Sequence, residues 1–177
     1  TALNRGINFS WTGEVSSIIV NEQNTIQLTG KNAIGIDLVE TRGNLKTIFQ
    51  NNIHIGNGYK GINHENSRGS WIYNNAVFAD GLNSLPNIGI SITGGSDALV
   101  ACNLLSSSMV CNNQGLYVSE SLNNADIANF AEGWQYDFQF AGTSLGTVFA
   151  NNKMGNANHG LILGFAQGGF SARIGVQ

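Results

Sequence analysis

A short motif recurs along the chain about every 26 residues, and this repeat limits the possible folds more than any other feature. Each copy is a glycine followed by an apolar residue, a residue that is mostly polar and an apolar or aromatic residue, as in Gly35-Ile36-Asp37-Leu38. That alternation is typical of a short strand with one buried face. A unit of this length cannot bury an apolar face alone, so the repeat predicts units stacked as a solenoid. The motifs begin at Gly6, Gly35, Gly61, Gly89, Gly115, Gly133 and Gly160.

An asparagine column repeats with nearly the same period and supports the solenoid interpretation. Its members follow β-rich stretches, and a side-chain amide both donates and accepts hydrogen bonds. Equivalent asparagines in stacked units therefore predict a hydrogen-bonded ladder, while the alternative is a sandwich of hairpins with coincidental glycines and asparagines. The predicted ladder contains Asn24, Asn52, Asn75, Asn103, Asn129 and Asn152.

The two repeats predict an all-β chain with one domain over residues 1–177. With these glycine starts and Asn-Asn turns, such as Asn51-Asn52 and Asn74-Asn75, the sequence resembles the right-handed parallel β-helix (pectate-lyase-like) superfamily. The resemblance implies a solenoid of about seven rungs of roughly 26 residues. Members of that superfamily include polysaccharide lyases, polygalacturonases, epimerases, phage tailspikes and cell-surface adhesins. The resemblance is therefore specific for architecture and leaves the activity open.

Composition excludes several classes of function. Only 11% of residues are charged and the net charge is −3, which argues against nucleic-acid binding, where basic residues neutralise phosphates. Hydrophobic residues make up 42% of the chain, enough for a core, yet the apolar runs are too short for a transmembrane helix. Low charge with abundant Asn, Ser, Thr and Gly is typical of secreted β-proteins, so we expect an extracellular or cell-surface location.

The segment from Lys60 to Arg68 contains the candidate catalytic residues. His64 interrupts an apolar column, and Glu65 follows it within reach of Asp37 on the preceding rung. Paired carboxylates are the groups that glycosidases use, and a neighbouring His or Arg could orient a substrate. The alternative is a structural histidine beside solvated Glu65 and Arg68. The catalytic motifs of lyases and polygalacturonases are not intact, and the sequence predicts no cofactor and no metal site.

Aromatic residues and cysteines supply the remaining candidates. Trp71, Tyr73 and Trp134 are candidate binding residues, because exposed rings on a solenoid contact sugars or partners, although they also fill solenoid interiors. Cys102 and Cys111 are either two small buried residues or a disulfide.

Strong repeats without an intact catalytic signature favour a scaffold segment of a secreted or cell-surface protein, acting as a stalk, adhesin or carbohydrate-contacting surface. The alternatives are a polysaccharide lyase, glycoside hydrolase or epimerase, and a phage tailspike body. Neither end of the sequence carries a recognisable cap, so we expect a longer parent chain, with further polypeptide from the same chain or another subunit at one or both open ends. Polysaccharide is the other expected partner.

Overall fold

The chain is an all-β parallel solenoid, as the repeat predicts. The computed structural model describes residues 5–10, 14–15, 19–43, 46–80, 87–108, 113–144 and 146–163. All strand pairings among the named strands are parallel, and each strand pairs with its equivalents in the preceding and following turns. Within the described residues, each of six turns contributes one strand to each of three sheets, and a seventh strand extends the first sheet.

The first sheet contains the strands that follow the repeated motif. It consists of β1 (Arg5–Ser10), β5 (Ile34–Val39), β9 (Lys60–Glu65), β12 (Ile88–Thr93), β15 (Gln114–Ser119), β18 (Tyr136–Ala141) and β21 (His159–Leu163).

The second and third sheets are built from shorter strands. The second consists of β3 (Ile19–Glu22), β7 (Lys46–Phe49), β10 (Ser70–Tyr73), β13 (Leu99–Ala101), β16 (Ala125–Ile127) and β19 (Val148–Ala150). The third consists of β4 (Thr25–Leu28), β8 (Asn52–Ile55), β11 (Ala76–Ala79), β14 (Leu104–Ser107), β17 (Phe130–Glu132) and β20 (Lys153–Gly155). A further pair joins β2 (Glu14–Val15) to β6 (Arg42–Gly43).

The core is formed by inward side chains that stack in columns along the solenoid. In the first sheet, Ile36, Ile62 and Ile90 are register partners, and all three are fully buried. Burying an aliphatic side chain of this size contributes about 1.5–3 kcal/mol, so each turn is stabilised by the turns on either side of it.

The glycine column permits close contact between successive turns. A Cβ atom at Gly35 would lie 2.5 Å from the carbonyl oxygen of Gly61, and one at Gly61 would lie 2.6 Å from that of Gly89. One predicted member is wrong. Gly133 precedes β18, and the strand register places Asp137 at the glycine position of that turn. The short spacing between Gly115 and Gly133 thus reflected a misplaced motif, because Trp134 follows the turn glycine and imitates the apolar residue of the repeat.

The asparagine ladder is present, with one correction. Each ladder side chain donates through Nδ2 to Oδ1 of the next, with distances of 2.9–3.0 Å. The second member is Asn51, whereas Asn52 is exposed and begins β8. Of the two adjacent asparagines, the ladder takes the one that follows a residue with positive φ, here Gln50 at 52°. The ladder consists of Asn24, Asn51, Asn75, Asn103, Asn129 and Asn152.

Candidate functional site

A network of charged and amide groups lies on the outer face of the first sheet. Asp37 and Asn63 are register partners on adjacent strands, and Asn63 Nδ2 donates to Asp37 Oδ1 at 2.7 Å. The same nitrogen lies 3.3 Å from Glu65 Oε2, and Lys60 Nζ donates to Asn63 Oδ1 at 2.7 Å. Arg5 Nε pairs with Asp37 Oδ2 at 2.7 Å. These five residues are called the polar cluster below.

The strand pattern positions the cluster. In β9, the inward side chains of Ile62 and His64 alternate with Asn63 and Glu65, which places the amide and the carboxylate on the outer face. Lys60 reaches the same face from the start of the strand, because its ammonium bonds Asn63. The cluster therefore arises where two successive turns place polar residues in the outward positions of a regular strand pair.

Burial makes the cluster rigid. Asp37 and Asn63 are 0% and 1% exposed, whereas Lys60 and Glu65 are half-buried. Burial lowers the pKa of Lys60, and the negative charges of Glu65 and Asp37 oppose that shift. Asp37 Oδ1 accepts from Asn63 and Oδ2 is ion-paired with Arg5 without a hydrogen bond, so this buried carboxylate serves to orient Asn63.

Tyrosines border the cluster. Tyr59 directly precedes Lys60, and its pKa is raised by burial and by the electrostatic influence of Tyr117 and Glu65. Tyr117 occupies the outward column of Asp37 and Asn63, two turns beyond Asn63. Both rings are half-buried. The outer face thus combines fixed hydrogen-bonding groups with aromatic surface.

His64 does not join Asp37 and Glu65, contrary to the arrangement expected from the sequence. Its register partners are the buried residues Leu38 and Ile92, and its side chain is 0% exposed on the inner face. Within the described part of the chain, neither ring nitrogen has a hydrogen-bond partner. Burial and the charge of Lys46 lower the pKa of His64 to about 4, so the imidazole is neutral at pH 7.

Arg68 is also separate from the polar cluster. It lies at the corner before the second sheet, where its Nε pairs with Asp97 Oδ2 at 2.9 Å. Its side chain is 71% exposed. The four residues proposed from the sequence as catalytic candidates thus divide among the outer face (Asp37 and Glu65), the core (His64) and a corner (Arg68).

The aromatic candidates also separate. Trp71 is 46% exposed on the outer face of the second sheet, and the ring of Tyr73 stacks on Phe49 with centroids 5.2 Å apart. Trp134 is completely buried and would contact a Cβ atom added at Gly89 or Gly115. A fully buried ring cannot contact a ligand, so Trp134 belongs to the core and its proposed binding role is incorrect.

The third sheet carries a shallow depression of about 260 Å³ that includes His54, Phe78 and Leu104. His54 Nδ1 lies 2.6 Å from Gln27 Oε1, and Nε2 lies 2.7 Å from Asp80 Oδ1. These two contacts orient the half-buried imidazole on the third sheet.

Two further observations concern metals and cysteines. Among the described residues, no three His, Cys, Asp or Glu side chains are grouped as metal ligands would be. Cys102 is exposed, and Cys111 lies outside the described residues, so a disulfide between them stays a prediction.

Within the described ranges, no helix is long and apolar enough to cross a membrane.

Comparison with known proteins adds no relative, since neither the family models, nor the curated proteins, nor the solved structures contain a match. The polar cluster includes three members that the sequence did not single out, Arg5, Lys60 and Asn63. Asn63 follows its glycine by two residues, the position that projects outward in the repeat, and this spacing was the available signal. The Lys60 contact depends on a side-chain conformation that the repeat does not specify.

Proposed function

We propose that this chain is a scaffold segment of a secreted or cell-surface protein, with a right-handed, pectate-lyase-like β-helix, and that the half-buried members of the polar cluster, Lys60 and Glu65, contact carbohydrate. The main supporting observation is the Asn63 side chain, which Lys60 and Asp37 hold from opposite ends at 2.7 Å each. Sugar hydroxyls both donate and accept, so a ligand of this class gains from donors and acceptors that are already fixed.

The half-buried members of the face are suited to contact such a ligand. Lys60 offers donors, Glu65 offers acceptors and Tyr117 offers the face of a ring. Thr93 is the register partner of Glu65 on the next turn and adds a hydroxyl, which lies 3.3 Å from that of Ser91. The contact surface therefore spans at least three turns of the first sheet.

Among the described residues, the separation of the catalytic candidates supports the scaffold role over the enzyme alternative. A glycosidase-type mechanism needs one carboxylic acid that donates a proton and a second carboxylate that acts opposite it. Asp37 is fully buried, with Oδ1 held by Asn63 and Oδ2 ion-paired with Arg5, and His64 and Arg68 lie elsewhere. The single partly accessible carboxylate of the cluster is Glu65.

Binding to a panel of neutral and acidic polysaccharides, assayed together with the release of reducing ends and unsaturated uronates, tests the proposal. We expect binding without turnover, weakened at least about tenfold by Glu65→Gln or Tyr117→Ala, a loss of roughly 1.4 kcal/mol. Glu120→Gln and Phe78→Ala alter exposed residues away from the cluster and serve as matched controls.

Each contrary outcome points to a different error. Turnover abolished by Glu65→Ala would establish the enzyme alternative. Failure to bind any member of the panel would remove the carbohydrate contact, and equal losses in the controls would place binding on another face.

A further inference from the structure

The outer face of the second sheet is mostly apolar. One outward column contains Val20, Thr47, Trp71, Leu99, Ala125 and Val148, in turn order. The neighbouring column contains Glu22, Phe49, Tyr73, Ala101, Ile127 and Ala150. These two columns are called the second-sheet face below, and Glu22 at one end is its only charged residue.

Most of the second-sheet face is also exposed, although Thr47 in the second turn is only 9% exposed. Val20, Trp71 and Val148 are 54%, 46% and 44% exposed, so large hydrophobic side chains reach the surface at both ends and near the middle. Six strands about 4.8 Å apart make the face roughly 25 Å tall. Contiguous apolar surface of this kind in a soluble protein marks an interaction site.

We propose that a second copy of this chain covers the second-sheet face, with the two solenoids packed sheet to sheet and antiparallel. The two copies are related by a two-fold axis that lies in the interface, parallel to the strands and midway along the face. This axis places the turns of one copy opposite the turns of the other in reverse order. The first turn then faces the sixth, the second faces the fifth and the third faces the fourth. This inference uses a different face from the carbohydrate proposal and does not depend on it.

The side-chain sizes along the columns favour that arrangement. The aromatic residues of the face, Phe49, Trp71 and Tyr73, lie in the second and third turns. The fourth to sixth turns carry three alanines and three aliphatic residues, namely Leu99, Ala101, Ala125, Ile127, Val148 and Ala150. Antiparallel packing therefore places Tyr73 against Ala101 of the second copy and Thr47 against its Ala125. A parallel arrangement would place the bulky turns of the two copies together and leave the small residues apart.

Charge favours the same orientation. Glu22 lies opposite Ala150 of the second copy, so the two carboxylates lie at opposite ends of the interface. Arg68 precedes the third-turn strand and Asp97 precedes the fourth-turn strand at one edge of the face. The symmetry brings Arg68 of each copy near Asp97 of the other, adding to the 2.9 Å pair that exists within one chain. The interface then has an apolar centre with a charged rim, as protein interfaces do.

Sedimentation of the chain over a range of concentrations tests the inference. We expect a monomer–dimer equilibrium, with Trp71→Glu raising the dissociation constant at least about tenfold because a buried, unpaired carboxylate is costly. Phe78→Glu places the same charge at a 41% exposed ring on the third sheet and leaves the equilibrium unchanged. Circular dichroism establishes that both variants fold.

Cysteine cross-linking tests the orientation. Chains with Val20→Cys and chains with Val148→Cys, both with Cys102 and Cys111 replaced by Ser, form a disulfide-linked heterodimer when mixed. A monomer at every concentration, a trimer, or a dimer that responds to Phe78→Glu and not to Trp71→Glu overturns the proposal. A dimer in which only identical single-cysteine chains cross-link overturns the antiparallel arrangement.

Discussion

Asn75 donates from its side-chain amide to Oδ1 of Asn103 at 2.9 Å, across 28 residues of sequence. The backbone nitrogen of Asn75 bonds the same oxygen, also at 2.9 Å. The side chain of Asn103 thus fixes the corner of the preceding turn at Asn75. Because the contact repeats from Asn24 to Asn152, the turns share one register.

Replacing Asn75 by Ala leaves several buried groups without partners. The backbone nitrogen of Asn51 loses a 3.1 Å acceptor, the side-chain amide of Asn51 loses one of its three acceptors, and the carbonyl of Ile48 loses a 3.0 Å donor. We expect the free energy of unfolding to fall by about 1–3 kcal/mol, measured by denaturant titration. Asn52→Ala, one position beyond a ladder residue and exposed, should change it by less than about 0.5 kcal/mol. Equal effects at both positions would contradict the ladder register.

Because successive turns are in close contact at the glycine column, a single added methyl group there should lower the free energy of unfolding. Gly61→Ala places Cβ 2.6 Å from the backbone oxygen of Gly89, and we expect a loss of about 1–3 kcal/mol in the free energy of unfolding. Gly155→Ala is the matched control, because its added Cβ would lie 3.7 Å from the Cβ atom of Glu132, an ordinary van der Waals distance. A lower melting temperature for Gly155→Ala than for Gly61→Ala would show that the turns are spaced differently.

Asp126 is a carboxyl group inside the core. It lies between Val100 and Phe149 in an inward column, is 0% exposed, and neither of its oxygens has a hydrogen-bond partner in the described structure. Burial raises the pKa of Asp126 to about 8, and that of Asp137 to about 7. An unfolded Asp ionises near pH 4, so between pH 4 and 8 the folded state holds a proton on Asp126 that the unfolded state has released.

Stability must therefore fall as the pH rises toward 8. We expect Asp126→Val to raise the free energy of unfolding and to reduce its decline between pH 6.5 and 8 by about 1.4 kcal/mol per pH unit, as judged by denaturant titration at each pH. Glu120→Gln alters an exposed carboxylate and should leave the slope in place. If Asp126→Val destabilises the protein at pH 8, the carboxyl group has a partner in solution.

His64 contributes a pH dependence of stability opposite in sign to that of Asp126. Its folded-state pKa of about 4 lies below the unfolded value near 6.5, so the unfolded state alone gains a proton in that window and stability falls as the pH decreases. We expect His64→Leu, which continues the column of Leu38 and Ile92, to stabilise the protein more at pH 5 than at pH 7.5, by about 2 kcal/mol. An effect that does not vary with pH would mean that the imidazole is solvated.

The solenoid was predictable because its determinants are periodic. Glycine is repeated where the backbone of the next turn approaches closely, as at Gly35, Gly61 and Gly89. Asparagine is repeated at the corners that need both a donor and an acceptor, as at Asn75 and Asn103. The sequence prediction was wrong where two neighbouring residues both fitted the repeat. Asn51 and Asn52 are adjacent asparagines, and only the positive φ of Gln50 decides between them.

The candidate site was less predictable, because a site depends on which face each residue occupies. His64 interrupts an apolar column of the sequence, and that break resembles a functional residue. The inward position of the column nevertheless persists, so the imidazole stays in the core beside Lys46. Asn63, one residue earlier, faces outward and holds the polar cluster together, although an asparagine in an asparagine-rich chain gives little signal.

A pH titration of the His64 ring by NMR tests the central claim most directly, since the claim depends on His64 lying inside the solenoid and Asp37 and Glu65 outside. The account predicts that the His64 resonances titrate near pH 4, and that the ring remains neutral throughout the physiological range. Titration near pH 6.5, with resonances that shift when Glu65 is replaced by Gln, would place the imidazole on the outer face beside the two carboxylates. That result would contradict the scaffold account and restore a catalytic grouping.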